Sequence, residues 1–180
     1  MRKSRSDQAQ AIHTLLFNVL NGIKNINDFK NALKAATDEV LKETSVNGFT
    51  LLHDIIHLTD EVVKSPKEKE GIIRDLFRVF WERVGNNKEL VKYFITEENK
   101  DGFTPLHDAL KNGNPKNFAI YMGAVNSLDK GIRQQLLAAA NKAGFTPLLS
   151  ALKNGNPKNF KIYMRAVESL DKGIRQQLLV

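Results

Sequence analysis

The chain contains no cysteine among its 180 residues. This absence excludes disulfide bonds, thiolate metal sites and a cysteine nucleophile, and it suits a reducing compartment such as the cytoplasm. The chain also has no uninterrupted apolar run long enough to span a bilayer. Its first residues are basic, but Asp7, His13 and Asn18 interrupt the apolar residues that follow. We therefore expect an amphipathic helix there, with His13 at its surface or boundary, and not a secretory signal.

Acidic residues are scarce in the second half of the chain, although the whole carries a net charge of +7. Residues 99–140 contain 5 Lys or Arg against 3 Asp or Glu, and residues 141–180 contain 7 against 2, so these two segments hold the entire excess. A basic surface can bind an acidic protein, nucleic acid or anionic lipid. No arginine-rich or aromatic nucleic-acid motif accompanies the charge, so an ordinary solvated surface is the simpler interpretation.

The triplet Gly-Phe-Thr begins at Gly48, Gly102 and Gly144, so successive copies lie 54 and 42 residues apart. Repetition at such a period is typical of a solenoid, in which each unit buries its apolar face by stacking on its neighbours. We predict one continuous array of three units, at 47–98, 99–140 and 141–180. Residues 1–46 lack the triplet but show two amphipathic patterns, and we predict that they form an N-terminal helical cap.

Each unit carries the start signals of three helices. In the middle unit these are Thr104-Pro105, Asn114-Pro115 and Asp129, which combine N-capping residues with proline at the first helical position. Apolar residues recur at three- and four-residue spacing after each signal, and no alternating strand pattern occurs. We predict an all-α fold with three helices per unit. The 12 extra residues of the first unit are expected around the charged stretch 65–70.

The segment DGFTPLHDALKNGN resembles the ankyrin repeat, whose residues are matched in order by Gly102, Thr104, Pro105, Leu106, His107, Ala109 and Gly113. The last copy has Leu149 in place of the histidine, and the first has Leu51 in place of the proline. A 42-residue unit is longer than the family's unit of about 33 residues and falls in the range of HEAT and armadillo repeats, which are the rival architecture.

The resemblance implies a non-catalytic scaffold that binds another protein through its turns and first helices. The positions that correspond to the family's variable surface are Lys100, Asp101, Phe103, Asp108, Lys111 and Asn112, followed in the last unit by Lys142, Ala143, Phe145, Ser150, Lys153 and Asn154. Such proteins also occur among effectors that intracellular bacteria deliver into host cells, so the cytoplasm expected here is that of the producing cell or of a host. A targeting module of a longer enzyme is an alternative.

The string His53-Asp54-Ile55-Ile56-His57 is the strongest catalytic candidate, since two histidines four residues apart on a helix can bind zinc. However, the intervening acid is aspartate and not glutamate, and no third ligand is indicated. The resemblance gives His53 and His107 a structural hydrogen-bonding role instead. We therefore expect neither a metal nor another cofactor, and no enzyme activity.

Two aromatic features have competing interpretations. Phe49, Phe103 and Phe145 recur in the triplets and either line a partner surface or pack against neighbouring turns, and we favour packing. Trp81 lies in an apolar helical stretch and is expected in the core.

Five positions distinguish 102–137 from 144–179. Three of them form one stripe of the second helix, where the small residues Ala119, Gly123 and Asn126 become Lys161, Arg165 and Glu168. We predict that the small stripe is buried under another helix and that the charged stripe faces water, as a terminal repeat requires. The other two changes, His107 to Leu149 and Asp108 to Ser150, have no explanation in the sequence.

Overall fold

The computed structural model describes the backbone of residues 4–45, 48–62, 66–112, 114–154 and 156–178, and side chains over 4–45, 48–57, 70–111, 114–153 and 156–176. Twelve helices and no strands occur in these ranges, which confirms the predicted all-α class. The helices are α1 (Arg5–Leu20), α2 (Ile26–Ala35), α3 (Asp38–Lys42), α4 (Leu51–Val62), α5 (Pro66–Val84), α6 (Lys88–Thr96), α7 (Pro105–Asn112), α8 (Pro115–Asn126), α9 (Lys130–Ala138), α10 (Pro147–Asn154), α11 (Pro157–Glu168) and α12 (Lys172–Leu178).

The N-terminal region forms three helices, and not one for each of the two amphipathic patterns in its sequence. The second amphipathic pattern breaks at Ala36, whose backbone is extended, and Thr37 caps a new helix by accepting a hydrogen bond from the Val40 N–H at 3.3 Å. Arg83 at the end of α5 stabilises this break by donating to the Ala36 carbonyl at 3.0 Å and to Asp38 at 2.8 Å. A helix end with satisfied carbonyls needs no continuation.

Successive groups of three helices pack in the same pairwise order. The first helices α1, α4, α7 and α10 contact one another in sequence, and the second helices α2, α5, α8 and α11 do the same. The third helices contact as α3 with α6 and α6 with α9. Residues 4–45 therefore pack onto the next unit as that unit packs onto its successor.

The predicted start signals begin the helices of the middle unit. Asn114 accepts a hydrogen bond from the Lys116 N–H at 3.0 Å, with Pro115 at the first helical position, and Asp129 accepts one from the Gly131 N–H at 2.8 Å. The longer α4 and α5, with 12 and 19 residues against 8 and 12 for α7 and α8, take up most of the extra length of the first unit. The extra length was expected around 65–70, and the side chains of 65–69 lie outside the described residues.

The buried apolar side chains form one continuous core from α1 to α11. Phe77 of α5 meets Tyr121 of α8 with ring centroids 5.3 Å apart, so aromatic contacts cross between groups. Trp81 is 7% exposed, as expected of a core residue. Because the core does not divide, the helices stabilise one another through shared apolar burial.

The stripe on the second helix departs from its prediction in one of the two units. Lys161 and Arg165 are exposed, as expected, but Ala119 and Gly123 are exposed as well. No described helix covers the small stripe, because α8 turns other faces toward α5 and α11. The prediction that it is buried is wrong.

Candidate binding surface

The three Gly-Phe-Thr copies form the same tight turn. The turns start at Ser45, Asn99 and Asn141, whose N–H groups each donate to the carbonyl of the triplet phenylalanine at 2.9 Å. The triplet glycines have φ values of 76°, 77° and 80°. This left-handed conformation favours glycine because a side chain would be strained, which explains the glycine in every copy.

The first side chain of each turn holds the phenylalanine backbone. Asn99 accepts a hydrogen bond from the Phe103 N–H at 3.1 Å, and Asn141 accepts one from the Phe145 N–H at 2.8 Å. Asn141 also donates to the Gly102 carbonyl at 2.9 Å, which joins one turn to the preceding one. The turns are therefore pre-organised and placed side by side.

A basic group from the first helix of the same unit lies over each triplet phenylalanine. His57 stacks on Phe49 at 4.8 Å, whereas the ammonium groups of Lys111 and Lys153 lie 4.4 Å and 5.2 Å from the ring centroids of Phe103 and Phe145. The two lysine distances are in the range of cation–π attraction. The rings are half-buried, so they neither project freely nor disappear into the core. We call these three pairs the Phe–cation array.

The structure places the predicted partner-binding residues in three classes. Exposed side chains belong to Lys100, Asp101, Lys111, Lys142, Ala143 and Lys153, and half-buried ones to Phe103, Phe145 and Ser150. The side chains of Asn112 and Asn154 lie outside the described residues. Four lysines and one aspartate make the exposed part of this surface basic.

Asp108 is 3% exposed, so its assignment to the partner surface is wrong. The His57 Nε2 lies 2.7 Å from its Oδ2, in a polar contact between α4 and α7 that is an ion pair when the imidazole is protonated. Because α7 is packed between α4 and α10, this position faces a helix and not solvent. Ser150, at the matching position of α10, has no charge to pair.

A second buried pair joins α1 to α4. His13 is 6% exposed and its Nδ1 contacts the carboxylate of Asp54, so the expectation of a surface or boundary histidine is wrong. Asp54 and Asp108 occupy equivalent positions in their first helices. A charged residue repeated on an otherwise apolar face is the one sequence signal that could have revealed both pairs.

His53 and His107 link each unit to the next. Their Nε2 atoms donate to the carbonyls of Phe103 and Phe145, at 2.9 Å and 2.8 Å. Each Nδ1 accepts from the threonine hydroxyl of its own triplet, at 2.8 Å for Thr50 and 2.5 Å for Thr104. This network assigns the neutral tautomer with the proton on Nε2.

Burial lowers the pKa of both imidazoles, since desolvation disfavours the charged form, while the hydrogen bond to the phenylalanine carbonyl acts in the opposite direction.

All four histidines of the chain make contacts between successive helix groups.

The two histidines considered for zinc point to different partners, His53 to the Phe103 carbonyl and His57 to Asp108. Across the described part of the chain, no group of three or more His, Asp or Glu side chains is arranged to hold a metal ion. The same part of the chain includes no helix with the length and apolarity that crossing a membrane demands.

Comparison with known proteins does not assign the chain to a family. No profile of a known protein family matches the chain, and no curated protein shows significant sequence similarity to it.

Proposed function

We propose that the protein is a non-catalytic scaffold of ankyrin-like helical repeats that binds an acidic partner protein through its turns and first helices. The pairwise packing of successive helix groups supports a solenoid. The backbone hydrogen bond and glycine conformation that the three triplets share support the ankyrin likeness, since the triplet Gly and Thr are among the residues that carry the resemblance.

The Phe–cation array is the observation that carries this proposal. Its three members recur at equivalent positions in successive units, so they form a regular row of half-buried aromatic rings and basic groups. Aromatic and cationic side chains are favoured at binding hot spots because they combine apolar area with directional charge. Exposed Lys100 and Lys142 extend the positive charge along the turns. An acidic protein surface complements this row.

The test reverses charge within the row and outside it. Lys111→Glu with Lys153→Glu changes two members, and Lys34→Glu with Lys92→Glu makes the same change of net charge at exposed positions of α2 and α6. Partners captured by the wild-type protein are identified by quantitative mass spectrometry, purified, and titrated by calorimetry. We expect the array variant to bind at least about tenfold more weakly, because charge complementarity becomes repulsion. Equal binding of the partner by both variants would contradict the proposal.

Nucleic acid and anionic lipid are the alternative partners for the same basic surface. Fluorescence anisotropy with single-stranded and duplex DNA, and sedimentation with phosphatidylserine vesicles, measures them directly. Binding that ignores base sequence and weakens steeply with salt would replace the protein partner with nucleic acid. Binding to the vesicles alone would replace it with a membrane surface.

A further inference from the structure

A long groove lies between the second helices α5 and α8. It has a volume of about 1040 Å³ and is lined by residues along both helices. On α5 the lining runs from Glu70 to Glu82, with Gly85 just after the helix, and on α8 it runs from Lys116 to Ala124, with Ser127 just after the helix. At 1.5 Å per residue the helical stretches are ~18 Å and ~12 Å long, so the groove is elongated and not a compact pocket.

The floor of the groove is apolar. Ala119 and Gly123 leave space above α8, while Trp81, Ile120 and Leu128 supply larger apolar surface. Trp81 is 7% exposed, and its buried indole N–H has no hydrogen-bond acceptor among the described residues. The groove therefore offers an occupant mainly apolar surface.

The charges along the rim balance one another. On α5, Arg74 contacts Glu70 at 2.7 Å and Arg78 contacts Glu82 at 2.8 Å. Lys116 and Asp129 are the charged residues on the other side. The rim therefore has no net charge, in contrast to the lysine-rich turns, and it does not select an acidic occupant.

Comparison of α8 with α11 of the last unit shows that the groove floor is where the two helices differ. Its helix α11 matches α8 except that Lys161, Arg165 and Glu168 replace Ala119, Gly123 and Asn126. Three of the five differences between the units therefore fall on this stripe. Long charged side chains at these positions would fill a groove that the small ones leave open.

We propose that the α5–α8 groove binds an amphipathic α-helix of another protein, with small net charge and an apolar face directed at Ala119, Gly123 and Trp81. An apolar channel about as long as two to three helical turns fits a helix whose anchors recur at i, i+3 or i+4, and i+7. The balanced rim fits polar flanks of both signs. This surface is separate from the turns and lysines of the proposed function.

The test uses a displayed library of helical peptides about three to four turns long, with apolar residues varied at the anchor positions. Peptides are selected on the wild-type protein and titrated by anisotropy against three proteins. Ala119→Lys with Gly123→Arg fills the floor with side chains that α11 already carries, Lys161→Ala with Arg165→Gly makes the reverse change away from the groove, and the wild type is the reference. Circular dichroism and thermal melts establish that the variants fold.

Selected peptides should bind the filled-groove variant at least about tenfold more weakly than the wild type, and the reverse variant equally well. Since Trp81 is the single tryptophan, its emission should shift on binding, and Trp81→Phe should weaken binding several-fold while preserving the fold. Raising the salt concentration should have little effect, because the rim is neutral.

Three results would overturn the proposal. The first is a library that yields no peptide sensitive to Ala119→Lys with Gly123→Arg. The second is concentration-dependent self-association of the wild type, lost in that variant, which would assign the groove to a second copy of this chain. The third is displacement of the selected peptides by a small apolar dye at equal or higher affinity, with no dependence on peptide helicity, which would assign it to a small molecule.

Discussion

The middle unit at 99–140 and the last unit at 141–180 differ at five positions over their common stretch, two on the first helix and three on the second. His107 of the middle unit reaches forward to the Phe145 carbonyl, and Asp108 reaches back to His57. Their counterparts Leu149, 45% exposed, and Ser150, half-buried, carry neither function. The changes left unexplained by sequence thus remove the polar contacts between first helices.

The residue that faces this position from the first helix of the preceding unit also differs between the two interfaces. Where Asp108 stands on α7, α4 presents His57, and where Ser150 stands on α10, the matching residue of α7 is Lys111, which lies over Phe103. Contacts between a histidine and a buried aspartate therefore join α1 to α4 and α4 to α7, and the contacting residues are replaced between α7 and α10. Nearly identical sequences thus form two chemically different interfaces.

The largest expected effect comes from removing the basic partner of a buried carboxylate. His57→Ala leaves Asp108 without its ion pair, and we expect the free energy of unfolding to fall by about 3 kcal/mol in urea denaturation. His57→Lys with Asp108→Ser copies the chemistry of the α7–α10 interface and should retain most of that stability. If the double variant is less stable than His57→Ala, the two interfaces are not interchangeable and the comparison fails.

A smaller loss of stability is expected when His107 of the middle unit, which bonds to the next turn, is replaced by the leucine of the last unit. His107→Leu removes two hydrogen bonds at a fully buried site and leaves the Phe145 carbonyl with the Asn141 N–H as its remaining donor, so we expect a loss of about 2 kcal/mol. Leu149→His is the matched control at a site 45% exposed, and it should change stability by less than about 0.5 kcal/mol. Equal effects in chemical denaturation would show that the bridge contributes nothing.

The bridging histidines also predict a pH dependence. The pKa values of His53 and His107 are lowered in the folded chain by burial, so below the ordinary value of 6.5 the unfolded chain binds more protons. Their contribution to stability is fully present above pH 6.5 and is lost as the pH falls through the lowered pKa values. The slope cannot exceed about 1.4 kcal/mol per pH unit for each histidine.

Urea denaturation at several pH values between about 7.5 and 5 measures this slope. The wild type should show a steeper acid loss than His107→Leu, which has only His53 left to protonate at a bridging site. The nearby carboxylates of Asp54 and Asp108 act on His53, and that of Glu98 acts on His107, all favouring the charged form. Identical slopes in the two proteins would contradict a role for the bridging imidazole.

The local parts of this fold could be predicted from sequence, and the contacts between units could not. Helix starts at Asn114-Pro115 and turns at Gly102 depend on residues next to one another, so their signals are readable. The pairs His13–Asp54 and His57–Asp108 join residues 41 and 51 positions apart, which follow neither repeat spacing. Asp108 was assigned to the surface because the family resemblance places variable residues there.

The small stripe of α8 is a second feature whose surroundings could not be predicted from sequence. Ala119 and Gly123 are what close packing by another helix requires, but they are also what an open groove floor requires. Only the position of α5 relative to α8 shows which interpretation is correct, and that position depends on how all the helices pack together. The groove was therefore not predictable, although the residues that form its floor were identified from sequence.

The smallest expected effect comes from exchanging the stripes between α8 and α11. Ala119→Lys with Gly123→Arg places long side chains at exposed positions, so it should not reduce stability, and replacing a helical glycine should add up to about 1 kcal/mol. Lys161→Ala with Arg165→Gly should cost about 1 kcal/mol for the same reason. If the small stripe were instead covered by a helix, the first variant would bury two charges and lose several kcal/mol. Thermal and urea denaturation of the two variants thus distinguishes an open floor from a packed one before any ligand is known.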